Sequence, residues 1–216
     1  MKTNKVNPAN FNRLAAAIME HHSLSYEDAL EYLERMSLNI ICGKEIANSE
    51  ALQSALITVI NTGKRAFLGG VYIQLPANTK PLINWEDNKT LNEICIDLGG
   101  NSNSSEKVDS FSIYIGNRSK EDENSLEVVA NGWQGGVVPY GFNISLDQSV
   151  DFSLGGILAG ALGVYSAFMK LTGINICATD KPLGFSLWKP NSKDWSSRGV
   201  CGPRLEYLPK NFWEEI

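Results

Sequence analysis

Hydrophobic and polar residues follow one another along this chain in blocks that predict helices and strands in turn. Apolar residues three or four positions apart between residues 12 and 36 indicate two amphipathic helices, the second capped by Ser25. Short apolar runs at 38–42, 71–75, 111–116 and 126–131 have the length of buried strands. A third helix, capped by Asn48 or Ser49, is predicted to end at Gly63, and a short one to cover 90–98.

The second half of the chain shows a less regular pattern. The runs at 111–116 and 126–131 are predicted to pair as a hairpin, and the glycine-rich passage at 132–141 is predicted to be irregular. From Phe152 to Met169 no residue is charged, which predicts a helix buried on most sides. Two apolar stretches, 174–178 and 184–189, precede a tail in which Trp195 and Trp213 are expected to act as packing anchors.

This order of strands and helices predicts the fold class. It favours an α/β, three-layer, Rossmann-like fold with a mostly parallel sheet and helices on both faces. We expect an N-terminal helical segment at 1–24, the α/β domain at 25–189 and a loop-rich tail at 190–216.

The turn after the first predicted strand bears directly on function. In a dinucleotide-binding fold it holds three glycines, which let the backbone approach the pyrophosphate. Here the stretch 43–50 is GKEIANSE, with Gly43 as its single glycine and with Glu45 and Glu50 adding negative charge. The sequence therefore predicts a degenerate nucleotide loop, and no cofactor bound by this chain.

Composition and charge narrow the possible partners and the location. The 216 residues are 43% hydrophobic and carry a net charge of −5, which argues against nucleic acid as a partner. The uncharged stretch at 152–169 is long enough to span a membrane, but glycine, alanine and serine dilute it, so we expect a buried helix and no membrane. The N-terminus has no apolar signal sequence, which favours a cytoplasmic location.

Cysteine and histidine offer little for chemistry. Cys42, Cys95, Cys177 and Cys201 form no CxxC pair, so free thiols are expected, the first three of them in the core. The only histidines, His21 and His22, are neighbours that would point apart on a helix, and no metal site is predicted.

One loop has the composition of a ligand site. NGWQGG, from Asn131 to Gly136, follows a predicted strand, and α/β proteins place ligand loops at the carboxyl ends of strands. Asn131 and Trp133 are the candidate ligand contacts. The alternative is a tight turn in which Trp133 is a packing anchor. A small cytosolic enzyme that uses this loop, with Cys42 or Cys201, is the rival hypothesis.

Several longer stretches together resemble a known family. They are SEALQSALITVINTGKRAFLGGVYIQL (49–75), VVANGWQGG (128–136), LGGILAGALGVYSAFMKLTG (154–173), GFSLWKP (184–190) and CGPRLEYLPKNFW (201–213). In this order they resemble the N-terminal region of bacterial E1-like proteins of the ThiF adenylyltransferase superfamily. The resemblance covers roughly residues 25–213.

The resemblance implies a division of labour between two related domains. One binds ATP and Mg²⁺ and adenylates a ubiquitin-like protein, while its inactive partner supports it; this chain would be the inactive one, paired in cis or in trans. It assigns no catalytic residue here. Arg13 stands where such partners supply an arginine to the other domain's ATP. The helix at 154–171 is apolar on nearly every face, so its surplus should meet the chain's own terminal segments or a second protein, and we expect either this complex or a homodimer.

Overall fold

A computed structural model of the chain describes residues 12–82, 88–102, 109–116, 122–146 and 149–204. The helices in these ranges are α1 (Asn12–His22), α2 (Tyr26–Arg35), α3 (Glu50–Gly63), α4 (Leu91–Asp97) and α5 (Ser153–Leu171). The strands are β1 (Met36–Cys42), β2 (Val71–Gln74), β3 (Asp109–Ile115), β4 (Ser125–Asn131), β5 (Gln134–Pro139) and β6 (Leu183–Ser186). Short 3₁₀ helices cover Lys44–Asn48, Ile176–Thr179 and Arg198–Val200.

The strands form one mixed sheet in the order β2-β1-β3-β4-β5-β6. The first four strands in this order are parallel to one another, and β5 and β6 are antiparallel additions beside β4. The fold class is therefore the predicted one: an α/β protein with a mostly parallel sheet, consistent with a Rossmann-like three-layer fold. The carboxyl ends of β1, β3 and β4 consequently meet at one edge of the sheet.

Local sequence signals explain where the helices begin. The hydroxyls of Ser25, Ser49 and Thr90 each accept a hydrogen bond from a backbone N–H in the first turn of the helix that follows. At Thr90 the Glu93 carboxylate returns a bond to the cap backbone, completing a capping box. These side chains satisfy amide donors that have no partner within the helix.

Close packing of α3 against α5 organises the core. A Cβ added at Gly156 would lie 1.8 Å from the Ala51 carbonyl oxygen, and one at Gly160 would lie 2.7 Å from that of Ala55. Gly163 faces the sheet, where Ile113 of β3 is its nearest neighbour. The small residues of α5 thus bring two backbones into contact, and this explains why the helix is rich in glycine.

By length and composition α5 could cross a membrane, but half of its apolar window is buried within the fold. It packs on α3 and on the sheet, as a core helix of an α/β domain does. The predicted buried helix is confirmed over this half, while its outer side lies at the surface.

Two predictions about strands are wrong. The runs at 111–116 and 126–131 are parallel neighbours, with Ile113 beside Leu126, and not a hairpin. The passage at 132–141 is not irregular, because it contains β5, which forms the hairpin with β4 through a two-residue turn. Its glycines serve packing: a Cβ at Gly135 would lie 2.3 Å from the Gly155 carbonyl oxygen, and one at Gly136 would overlap the Trp195 ring.

Two further sequence predictions concern the segments after α5. Trp195 packs over Gly136 and Gly184, so its predicted role as an anchor is confirmed, whereas Trp213 lies outside the described residues. Cys177 was expected in the core, but it lies exposed in a 3₁₀ helix, so that prediction is wrong.

Candidate functional site

The turn between β1 and α3 is the candidate ligand site of this fold. It lies at the carboxyl edge of the parallel strands, where doubly wound α/β folds bind ligands. In this chain the turn is the 3₁₀ helix Lys44–Asn48, followed by Ser49 as the N-cap of α3. The first turn of α3 therefore points its free backbone N–H groups at this edge, as a phosphate-binding helix would.

A carboxylate of the chain itself occupies that helix terminus. Asp151 Oδ2 accepts a hydrogen bond from the Glu50 backbone N–H at 2.6 Å. Its Oδ1 accepts from the Ala51 N–H at 2.9 Å and from the Ser49 hydroxyl at 2.8 Å. The positive end of the helix dipole favours this negative charge. Asp151 thus makes the contacts that a phosphate would make, and a phosphate could not use these donors without displacing it.

The groups around Asp151 also disfavour a phosphate at this edge. If a Cβ were added at Gly116, where β3 ends, it would lie 3.1 Å from the Glu45 carboxylate. A second negative charge therefore stands at the carboxyl edge of the sheet. Side chains from Lys44 onward fill the turn where a nucleotide loop needs bare backbone. The residues present do not fit the phosphates of ATP.

A cavity of about 280 Å³ lies beside Asp151. It opens between the β1–α3 turn and the end of β4, and its lining combines two carboxylates with small polar and apolar groups. The lining residues are Glu45, Asn48, Ser49, Leu52, Ala130, Val150 and Asp151. The polar side of this cavity is therefore acidic or uncharged, which disfavours anionic ligands.

The segment that carries Asp151 is fixed by the end of β4. The Val150 backbone N–H donates to Asn131 Oδ1 at 3.0 Å, and the Gly132 N–H donates back to the Val150 carbonyl at 2.6 Å. Asn131 itself is almost completely buried. The Asn131 side chain and the Gly132 backbone therefore hold the segment that places the carboxylate of Asp151 at the N-terminus of α3.

The predicted ligand loop turns out to be a two-residue turn inside the hairpin. Asn131 Nδ2 donates to Gln134 Oε1 at 3.2 Å, and Gln134 Nε2 donates to the carbonyls of Trp195 and Ser197 at 2.6 and 2.9 Å. These amides tie the hairpin to the tail. Trp133 Nε1 donates to the Pro203 carbonyl at 3.0 Å. Ligand binding by Asn131 or Trp133 stays a prediction.

Trp133 also belongs to an aromatic cluster at the start of α5. Its ring centroid lies 4.9 Å from that of Phe152 and 5.9 Å from that of Trp188. Such tilted pairs add stability beyond the burial of their area. The cluster joins the hairpin, α5 and the segment after β6 at one end of the sheet.

The remaining candidates lie apart from this edge or carry no reactive group. Arg13 is exposed in the first turn of α1, and its predicted contact with a partner's ATP stays a prediction. His22 Nε2 lies 2.7 Å from the Thr172 carbonyl oxygen at the end of α5. Within the described ranges, no group of three His, Cys, Asp or Glu side chains could hold a metal ion.

The cysteines can be ranked by the environment of their thiols. Cys42 is half-buried as a residue but its thiol is enclosed, and this burial, with Cys95 nearby, raises its pKa far above the ordinary value. Burial raises the pKa of Cys95 to about 12. A hydrogen bond to Asp180 raises the pKa of the exposed Cys177. Since the thiolate is the nucleophile, Cys42 is not primed for catalysis.

These environments predict the order of alkylation. At pH 8, iodoacetamide should modify the exposed Cys177 and leave Cys42 and Cys95 unmodified while the protein is folded, because the buried thiols are protonated and shielded. Peptide mass spectrometry over time measures the four rates, and urea-unfolded protein is the control. If Cys42 reacted as fast as Cys177, the rival enzyme hypothesis would gain a nucleophile.

Sequence reasoning missed Asp151. It precedes the uncharged helix α5, so its position suggests a cap for that helix, but the N-cap residue there is Phe152. Its hydrogen-bond partners lie about 100 residues earlier in the chain. No local pattern marks such a contact, whereas the single glycine at 43–50 already showed that the glycine-rich loop is missing.

The fold and the carboxyl edge of its sheet define the class of protein. It is a Rossmann-like α/β domain in which an aspartate of the same chain caps the first crossover helix. A sequence model of the BilD N-terminal domain matches residues 37–187, so the chain belongs to that family. It is 31% identical over 193 residues to the bacterial E1-like protein BilD of Collimonas sp. (strain OK412). That match covers 88% of this chain and 41% of the relative, so the chain spans about two fifths of the relative's length. The predicted resemblance to the N-terminal region of bacterial E1-like proteins is confirmed.

Proposed function

We propose that this chain is a non-catalytic domain of an E1-like enzyme of the ThiF superfamily. It would pair, in cis or in trans, with an adenylation domain that holds ATP and Mg²⁺, and would help to position a ubiquitin-like protein in the cytoplasm. The observation that carries the proposal is the Asp151 carboxylate on the N-terminus of α3. Its support from relatives is the membership in the BilD N-terminal domain family.

The physical argument concerns where negative charge can go. An active adenylation domain needs free backbone donors for phosphate at its first crossover helix. Here two such donors, Glu50 N–H and Ala51 N–H, already bind a carboxylate, and Glu45 stands beside the same edge. A domain whose phosphate donors are already occupied contributes to the enzyme by contact with a partner domain.

Titration calorimetry with Mg²⁺–ATP tests this proposal directly. The wild-type chain should give no binding heat up to millimolar nucleotide, because ATP would have to displace Asp151 and approach Glu45. The same titration on an active E1-like adenylation domain serves as the positive control. Micromolar affinity in the wild-type chain would end the proposal.

The rival, a small independent enzyme at Asn131–Gly136, would need polar groups that can reach a substrate. The amides of Asn131 and Gln134 are engaged with each other and with the backbone. No described contact therefore favours that enzyme over the E1-like domain. The role of Arg13 in a partner's ATP site stays part of the proposal.

A further inference from the structure

The side of α5 that faces away from the sheet carries no charge. Leu154, Ile157, Ala161 and Tyr165 follow one another at helical spacing, and all four are exposed. Tyr165 exposes 45% of its surface and Ile157 exposes 43%. The outer side of a helix at a protein surface normally bears charged residues, and here the first charge along the helix is Lys170.

Strand β6 extends this apolar area sideways. Phe185 is paired with Gly135, and Gly135 faces α5, so Phe185 lies on the same face of the sheet as the helix. It exposes 45% of its surface. Because α3 covers the other flank of α5, this flank is the one left open. We call Leu154, Ile157, Ala161, Tyr165 and Phe185 together the α5 surface.

The size of the α5 surface suits a stable contact. The helix is about 28 Å long. With Leu187 and Trp188, which continue the apolar area at one end, half-exposed side chains of this size present on the order of 500 Å². Standard interfaces bury about 800 Å² per partner, with an apolar centre and a polar rim. The α5 surface has the dimensions of such a centre.

We propose that the α5 surface is the docking site for the adenylation domain of the E1-like protein, an inference that rests on the proposed function. The curated relative is more than twice as long as the segment that this chain matches, so most of an E1-like protein lies outside this domain. A surface without charge requires a partner face that is apolar at its centre. The docked domain covers Ile157 and Tyr165 and places its polar rim beyond Phe185.

The test uses this chain and the adenylation domain of the same E1-like system, expressed as two separate proteins. Wild type should form a complex in sedimentation velocity, and Ile157→Glu should weaken it at least 100-fold, because the buried carboxylate would have no partner. Ile176→Glu is the matched control: the same change at an isoleucine that is 66% exposed and lies outside the α5 surface. It should bind like wild type.

Each outcome has a defined meaning. Thermal unfolding shows whether Ile157→Glu is folded, and Tyr165→Lys provides a second variant at the same surface. A wild-type complex that both variants leave intact overturns this inference, while the proposed function stands. If the variants disrupt a homodimer and not the complex, the α5 surface belongs to a second copy of the chain. If Ile157 becomes more exposed after deletion of residues 205–216, the surface belongs to the chain's own end. Either result overturns the inference. Calorimetry with ATP tests the proposed function separately.

Discussion

Replacing Gly156 by alanine is expected to destabilise the protein by about 3 kcal/mol or more. The new Cβ would lie 1.8 Å from the carbonyl oxygen of Ala51 and 2.6 Å from its carbonyl carbon. Both are backbone atoms in the first turn of α3, so no side-chain rotation relieves the overlap. The two helices would have to move apart along their shared contact.

Gly163→Ala in the same helix is the matched control. Its nearest neighbour would be a methyl carbon of Ile113 at 3.3 Å, which can shift. Alanine also favours a helix interior over glycine by up to about 1 kcal/mol, so this variant should stay close to wild type. Urea unfolding followed by fluorescence measures both free energies. Equal values for the two variants would contradict the close contact of α3 with α5.

An intermediate substitution completes the series. Gly160→Leu adds a larger side chain where a Cβ already lies 2.7 Å from the Ala55 carbonyl oxygen. Overpacking of this kind typically costs about 1–3 kcal/mol. The loss should appear as a lower urea midpoint with the solubility of the folded protein unchanged.

Much of the fold could be predicted because its signals are local. Ser25, Ser49 and Thr90 lie immediately before the helices that they cap, and their side chains bond to backbone within the next three residues. The apolar runs that form β1 and β2 place Leu38 and Ile40, and Val71 and Ile73, in the core. Where the pattern of a segment and its burial agree, sequence alone locates the element.

The sheet order could not be predicted, because strand pairing is a choice among distant partners. A short connection normally favours a hairpin, since parallel strands need a longer crossover. That rule led to the prediction that 111–116 and 126–131 pair as a hairpin. In the structure the antiparallel place beside β4 is taken by β5, which is joined to β4 by only Gly132 and Trp133. The glycines that concealed β5 as a strand are required by Gly155 and Trp195, which are distant in sequence.

The candidate site divides in the same way. The loss of the glycine loop at residues 43–50 could be predicted, because it is visible in the sequence itself. What takes its place could not be, because Asp151 reaches α3 from the other half of the chain. Its position depends on Asn131, whose side chain holds Val150. The group that caps the N-terminus of α3 is therefore set by a tertiary contact, which the local sequence does not show.

Asp151→Ala is expected to cost about 2 kcal/mol of stability, because it removes the acceptor for two helix N-terminal amides and one hydroxyl. The Glu50 and Ala51 N–H groups and the Ser49 hydroxyl would lose their bonds of 2.6 to 2.9 Å. Solvent reaches this edge, and water would replace part of the loss. Asp151→Asn keeps one acceptor oxygen and no charge, so its cost should be about half as large.

Asp151→Ala also tests whether the N-terminus of α3 binds an anion once the Asp151 carboxylate is removed. Millimolar phosphate should raise the melting temperature of Asp151→Ala by more than it raises that of wild type, because a bound anion stabilises the folded state by mass action. Comparison with wild type removes the general stabilising effect of phosphate, and chloride at equal ionic strength removes the effect of salt. The Asp151→Asn variant should respond less than Asp151→Ala, since the asparagine still fills the position. An equal response of all three proteins would mean that Asp151 does not stand in the place of a phosphate, and the physical basis for a domain that leaves ATP to its partner would be lost.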